Sequence, residues 1–178
     1  AAVAKAALDA GADIVNDVAA MTYDAGIASV TAQSGAPICL MHAQGTPETM
    51  HLDPRYDNVL LEVYDFLEER VSAAIAAGIP RDRVCVDPGI GFGKTLDHNM
   101  QIMARLDELV DAGWPVLLGA SHKSFISKLT GAPVDQRLGG SLAAVLAGFG
   151  AGVSVFRVHD VAETVQALHV AAAIGDAL

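Results

Sequence analysis

Residue type and spacing speak first of chemistry in the stretch Asp87-Pro88-Gly89-Ile90-Gly91-Phe92-Gly93-Lys94. The β-branched run Val84-Cys85-Val86 leads into an acid, a proline and alternating glycines, the mark of a buried strand ending in a tight loop that a ligand can approach. Gly93-Lys94-Thr95 has the ending of a phosphate-binding P-loop, but the earlier glycine that the motif requires falls on Pro88. The glycines are not at dinucleotide-binding spacing either. What remains is Asp87, an acid at a strand end, held just before a rigid turn.

The same design recurs along the chain. Ile14-Val15 stops at Asn16-Asp17, residues 37–41 stop at His42, residues 115–119 deliver Ser121, His122, Lys123 and Ser124, and residues 153–158 end at Arg157 and His159. Strand ends meet water and are polar anyway, but hydrogen-bonding or ionisable groups of such variety at every one of them ask for more than that. Asp87 and Asn16 suit a flat, amide-like heterocycle, because a carboxylate accepts two parallel N–H bonds while an asparagine both donates and accepts. Lys123 would bring positive charge to a carbonyl or ring nitrogen. Arg157 and His159 immediately precede a helix N-terminus, where free N–H groups and the dipole favour an anion, so this is the expected phosphate site; the competing role for Arg157 is an ion pair with Asp160. Two roles fit His42 equally, a ligand contact or hydrogen bonds that hold the neighbouring Gly45–Pro47 loop. Met41 is expected to pack against a ring. His51, His98, His122 and His169 show no metal-binding spacing with one another.

The elements that must position these groups follow a β/α rhythm. The alanine-rich opening reads as the tail of a helix ending at Gly11, with neither a secretory signal nor an initiator methionine, so the chain is expected to begin within something larger. Helices are expected over 23–33, with Tyr23, Ile27 and Val30 inward, and over 57–77, with Val63, Leu67, Val71 and Ile75 among its inner residues. A single helix is expected over 97–112, facing the core through Met103, Leu106, Leu109 and Val110, and a short one around Phe125, Ile126 and Leu129. A further helix over 138–150 should pack through Leu142, Val145, Leu146 and Phe149. The last should start with an Asp160/Glu163 capping box and use Val161, Val165, Leu168 and Ala172. No two strands lie close enough for a hairpin, which means parallel units with both sheet faces covered. A complete (β/α)₈ barrel takes roughly 250 residues, so five units suit the later part of a TIM barrel; a small doubly wound sheet is the alternative.

Composition sets the outer limits. With 178 residues, 52% hydrophobic and 18% charged, the chain can bury a sizeable core as one domain or part of one. A net charge of −10 argues against a broad nucleic-acid surface yet leaves room for one anionic small molecule. Cys39 and Cys85 sit in apolar runs and read as reduced hydrophobes rather than as a disulfide or metal pair. No stretch approaches the roughly 20 apolar residues of a membrane span.

The segments IVNDV, CLMHAQGTP, VDPGIGFGK, LLGASHKSF, RLGGSLA and FRVHDV, in that order along almost the entire chain, closely resemble dihydropteroate synthase. The resemblance implies a TIM barrel and a transferase of folate biosynthesis, which joins p-aminobenzoate to hydroxymethyl-dihydropterin pyrophosphate and releases dihydropteroate and pyrophosphate. By the same resemblance Asn16 and Asp87 hold the pterin, Met41, Phe92 and Gly119 line its slot, and Lys123 contacts its ring. Arg157 and His159 bind the pyrophosphate, and Ser124 lies on the aminobenzoate side. Catalysis falls to Lys123, Arg157 and His159 with Mg²⁺ assisting the leaving group, a reaction that needs positioning and charge stabilisation rather than a protein nucleophile. A cytoplasmic homodimer is the implied setting, with no membrane or nucleic-acid partner. His122 stands where the family commonly has arginine, and Ala43 where it commonly has methionine.

The family's first three strands, which bring its metal-binding asparagine, mobile substrate loops and a further pterin-binding aspartate, have no counterpart here. Residues 1–178 are therefore expected to form a partial barrel domain, truncated at its N-terminal side, without a Mg²⁺ ligand of its own and without turnover by itself. The related methyltetrahydrofolate methyltransferase domain shares the barrel and the pterin acids. SHKSF and RVHDV favour the synthase, because a pyrophosphate leaving group explains the cations and methyl transfer does not. From a different class, a non-catalytic remnant or oligomerisation module is opposed by the intact Asp87, Lys123, Arg157 and His159.

Overall fold

The computed structural model describes residues 1–46, 48–50 and 52–177; Pro47 and His51, both expected in a loop, fall outside them. Helices and strands alternate: α1 (Ala2–Asp9), β1 (Val15–Asp17), α2 (Gly26–Ser34), β2 (Ile38–Met41), α3 (Val59–Ala76), β3 (Val84–Asp87), α4 (Leu96–Met103), α5 (Leu106–Asp111), β4 (Leu117–Leu118), α6 (Ser124–Thr130), α7 (Leu138–Gly150), β5 (Val155–Phe156) and α8 (Val161–Gly175). β1, β2 and β3 pair in sequence order, β4 pairs with β5, and a parallel bridge from Val86 to Val116 joins the two groups. Every pairing is parallel, so all strands deliver their carboxyl ends to one rim. A doubly wound sheet reverses its strand order at a switch point. No reversal occurs here, and the barrel reading stands.

Local chemistry explains most of the boundaries. Asn58 caps α3 by accepting from the Leu61 N–H, while the Glu62 carboxylate accepts from the N–H groups of Asp57 and Asn58 at 2.8 and 3.0 Å. α3 then buries Val59, Leu60, Val63, Leu67, Val71 and Ala74 against the sheet. Thr95 and His98 form a reciprocal capping box at the head of α4. The expected single helix over 97–112 is broken at Arg105, whose φ of −135° and ψ of 34° leave the helical region. Asp107 and Glu108 then restart it with negative charge in its first turn.

Other expectations need correction. Tyr23 is outside any helix and 93% exposed, because Asp24 accepts from the Gly26 N–H and sets the start of α2 there. The Asp160/Glu163 capping box is absent: Asp160 makes no side-chain cap, its carboxylate being held by His122 at 2.6 Å. Ile75, Leu129, Leu146, Phe149, Val161 and Val165 are all exposed, since the strand-facing strips of their helices are narrower than the apolar ones. On α8 only Thr164 is fully buried. No helix among the described residues is long and apolar enough to cross a membrane.

Leu67 and Ile75, both apolar and both on α3, separate the two environments. Leu67→Ala is expected to cost about 2–5 kcal/mol through the cavity it leaves, and Ile75→Ala, at a surface position, less than about 1 kcal/mol; urea denaturation of both variants measures the difference.

Candidate active site

The glycine loop after β3 is built around a lysine. Lys94 is 7% exposed, and its Nζ donates to the carbonyl oxygens of Gly89 at 3.1 Å and Phe92 at 3.0 Å, and lies 2.8 Å from His42 Nδ1. The loop thus closes on its own side chain. Gly89 and Gly93 take positive φ values of 69° and 62°, and a Cβ at either would overlap backbone, of His42 and of Gln44 respectively. Tyr56 completes the cradle by donating its hydroxyl to the Gly93 carbonyl at 2.8 Å. Burial pushes the Lys94 ammonium down to about 7, and burial together with the nearby lysine lowers His42 to about 3. His42 is edge-on to Phe66, with ring centroids 5.0 Å apart, and its ring nitrogen meets Lys94 of the glycine loop after β3, not the Gly45–Pro47 loop that one of its two expected roles would have it hold.

Asp87, at the end of β3, is completely buried. Its Oδ1 accepts from the Gly89 N–H at 2.7 Å and its Oδ2 from Arg157 Nη2 at 3.0 Å. The Arg157 Nη1 also donates to Asn16 Oδ1 at 3.0 Å, so one guanidinium spans the ends of β5, β3 and β1. Arg157 therefore does not pair with Asp160. Gly119 makes room for it, since a Cβ there would stand 2.5 Å from Arg157 Nη2. Burial raises the Asp87 carboxyl, opposed by the Gly89 N–H and the guanidinium. Lys123 rests its Nζ 4.1 Å from the Phe92 ring centroid, and burial, then the neighbouring Arg157, lower its pKa.

These residues open onto a cleft of about 300 Å³ whose lining includes Asn16, Phe92, Gly119, Lys123, Arg157 and His159. Ser121 adds a hydroxyl that accepts from the His159 N–H at 3.2 Å and lies 3.0 Å from its Nδ1, leaving Nε2 of His159 free of that contact. Three residues stand apart. Met41 is wholly buried beneath the loop, in register with Asp87. Ser124 is exposed at the first position of α6. Asp17 turns to backbone, accepting from the Ala19 and Met21 N–H groups at 3.0 and 2.6 Å. Cys39 and Cys85 lie side by side on β2 and β3 as free thiols.

Lys94 escaped notice in the sequence because a lysine after glycines reads as a phosphate ligand, and failure of that motif left it without a role. The signal was its place directly after a glycine loop whose carbonyls have no strand partner. Among the described residues no three His, Cys, Asp or Glu side chains gather as a metal site, and Arg157 already takes the Asp87 carboxylate.

The profile of the family described as pterin binding enzyme matches residues 1–159. The chain belongs to this pterin-binding family. Over 169 residues, 93% of the chain, it is 46% identical to the dihydropteroate synthase of Neisseria meningitidis serogroup B and covers 59% of that protein. The crystal structure of dihydropteroate synthase from Thermus thermophilus in complex with 6HMPPP superposes on 97% of the chain with a TM-score of 0.92 at 42% identity, with 68% of that protein covered. The Xanthomonas albilineans dihydropteroate synthase with 4-aminobenzoic acid superposes on 98% of the chain with a TM-score of 0.91 at 43% identity, with 62% of it covered. The chain thus spans about three fifths of the length of the curated relative, and its α/β fold is that of the later β/α units of these barrels.

The depressed Lys94 predicts a pH signature. A lysine whose folded pKa lies near 7 and whose unfolded value is about 10.4 makes the unfolded chain bind more protons between those limits, so stability rises with pH across that window. The stability of wild type minus that of Lys94→Met, from urea midpoints, is expected to grow from pH 7 toward about 10; a flat difference contradicts a buried, largely neutral lysine.

Proposed function

We propose that this chain supplies the pterin and pyrophosphate half of a dihydropteroate synthase. The observation that carries the reading is that an amide and three basic side chains, Asn16, Lys123, Arg157 and His159, line one cleft on the carboxyl rim of a parallel sheet, with the buried Asp87 carboxylate held directly behind it by Arg157. Asp87 and Asn16 present the acceptor and amide pattern that a pterin edge requires. Lys123 and Phe92 flank the flat ring, and Gly119 keeps the floor low. Arg157 neutralises Asp87. When the pterin takes over Asp87 and Asn16, the guanidinium turns with His159 to the pyrophosphate.

Chemistry follows from that exchange. The bond between the pterin methylene carbon and the bridging oxygen breaks, its electron pair leaving with pyrophosphate, and Arg157, Lys123 and His159 stabilise the charge that develops there. The p-aminobenzoate amine then attacks the methylene carbon, forms the new C–N bond and loses a proton. Ser124, at the head of α6, faces the side from which p-aminobenzoate approaches. Its relatives named for 4-aminobenzoic acid and 6HMPPP support these substrate classes. Mg²⁺ accompanying the pyrophosphate would help to neutralise the charge on the leaving group. A cytoplasmic homodimer accords with the free thiols and with the exposed Leu146, Phe149, Val165 and Ile174 along α7 and α8.

The 178 residues are accordingly a partial domain that binds without turning over. Calorimetry with a pterin pyrophosphate should detect binding, and Asp87→Asn should weaken it about tenfold or more through loss of charge-assisted bonds. Arg157→Ala should weaken inorganic pyrophosphate binding by a similar factor while sparing a pterin that lacks the pyrophosphate. Unchanged affinity in Asp87→Asn, preference for methyltetrahydrofolate, or dihydropteroate formation by the purified chain would each overturn part of this reading.

A further inference from the structure

Both ring nitrogens of His122 face oxygens that only accept. Nε2 lies 2.6 Å from Asp160 Oδ2, and Nδ1 lies 2.9 Å from the Val134 carbonyl oxygen. A neutral imidazole carries a single N–H and can satisfy one of these; only the imidazolium satisfies both. The backbone is committed to the same arrangement. His122 has a φ of 55°, a left-handed conformation that residues other than glycine seldom take, and one that clusters where structure is held for function. Its N–H donates to Ser141 Oγ at 3.0 Å, and its carbonyl accepts from Arg137 Nη1 at 2.8 Å.

This ring sits between the two strand ends that carry the site's cations. Lys123 follows it directly, and Asp160 directly follows His159. The His122 and His159 rings meet edge to face with centroids 5.1 Å apart. We infer that His122, as an imidazolium bridging Asp160 and the Val134 carbonyl, is a positioning residue that clamps the end of β4 to the end of β5 and so holds Lys123 and His159 in register. The clamp itself stands on geometry; its effect on anion binding rests on the pyrophosphate reading of His159.

The charges around the ring settle its pH response. Asp160 from the β5–α8 turn raises the His122 pKa through its hydrogen bond, the Val134 carbonyl from the α6–α7 segment adds to this, and Arg137 at the head of α7 opposes it. A histidine raised in the folded state lends stability that is fully present below its unfolded value, about 6.5, and is lost as pH rises through the folded value. The clamp therefore loosens on the alkaline side.

The 178-residue chain tests this in two ways. Long-range ¹H–¹⁵N spectra, with His122 assigned by its loss in His122→Asn, should show both ring nitrogens protonated at about pH 7; asparagine tolerates the left-handed backbone, so that variant should fold. Calorimetric affinities for inorganic pyrophosphate then read the coupling. The ratio of wild type to His122→Asn should be about fivefold or more near pH 6 and fall toward unity near pH 9, with His159 present in both chains and so cancelling. Asp160→Asn should move the His122 titration to lower pH. A singly protonated His122 at neutral pH, or a ratio that does not change with pH, overturns the clamp. Absence of pyrophosphate binding by wild type with a doubly protonated His122 supports the clamp and overturns only the pyrophosphate reading.

Discussion

Asp87 is shut off from water at the end of β3, and a carboxylate so placed has to find partners before the chain can close around it. One partner is local, the Gly89 N–H of the turn that follows. The other is Arg157, which arrives from the end of β5 and continues to Asn16 on β1. For one guanidinium from the end of β5 to touch both Asp87 and Asn16, the sheet must curl until its first and last described strands face each other across the rim. Removing one member of a buried pair leaves an uncompensated charge, which costs far more than the pair contributes as a whole. The ion pair is thus a condition on the curvature of the sheet as much as on the site.

The glycine loop meets the same condition by other means. Its carbonyls turn inward, away from any strand partner, and Lys94 reaches back to take two of them while leaning on His42. Pinning by a side chain from the loop itself fixes where Gly89 and Gly91 stand, and with them the N–H that Asp87 needs and the wall against which Lys123 lies. The loop that first looked like a nucleotide cradle turns its own lysine onto its own carbonyls. It shapes a floor, while the basic side chains of the cleft, Lys123, Arg157 and His159, come from the ends of β4 and β5.

Much of this was legible from residue order alone. Short β-branched runs closed by glycine, proline or polar residues located all five strands, because buried parallel strands carry little else. The strand-end residues Asn16, Asp87, Lys123, Arg157 and His159 were legible for the same reason, since parallel topology places such ends together whatever their distance in sequence. What escaped was whatever depends on a specific partner. Arg157 has several acids within reach in sequence terms, and only the curl of the sheet selects Asp87 over Asp160. His122 and Asp160 lie 38 residues apart with no periodicity to link them, and their bond is what removes the capping box expected at α8. Ile75 and Val165 illustrate the remaining error: helical spacing of apolar residues marks a face, but only the neighbouring element decides how wide a strip of that face is covered.

Taken together, the buried acid, the spanning guanidinium and the low glycine floor make a site in which Arg157 neutralises Asp87, and the proposed function requires a polar heterocycle to take the place of that guanidinium. The most direct test is a crystal structure of this chain with hydroxymethyl-dihydropterin pyrophosphate bound. The account predicts the heterocycle on Asp87 and Asn16, with the Arg157 guanidinium withdrawn from both and turned, beside His159, to the pyrophosphate oxygens. A bound ligand with Arg157 still joined to Asp87 and Asn16 would contradict it.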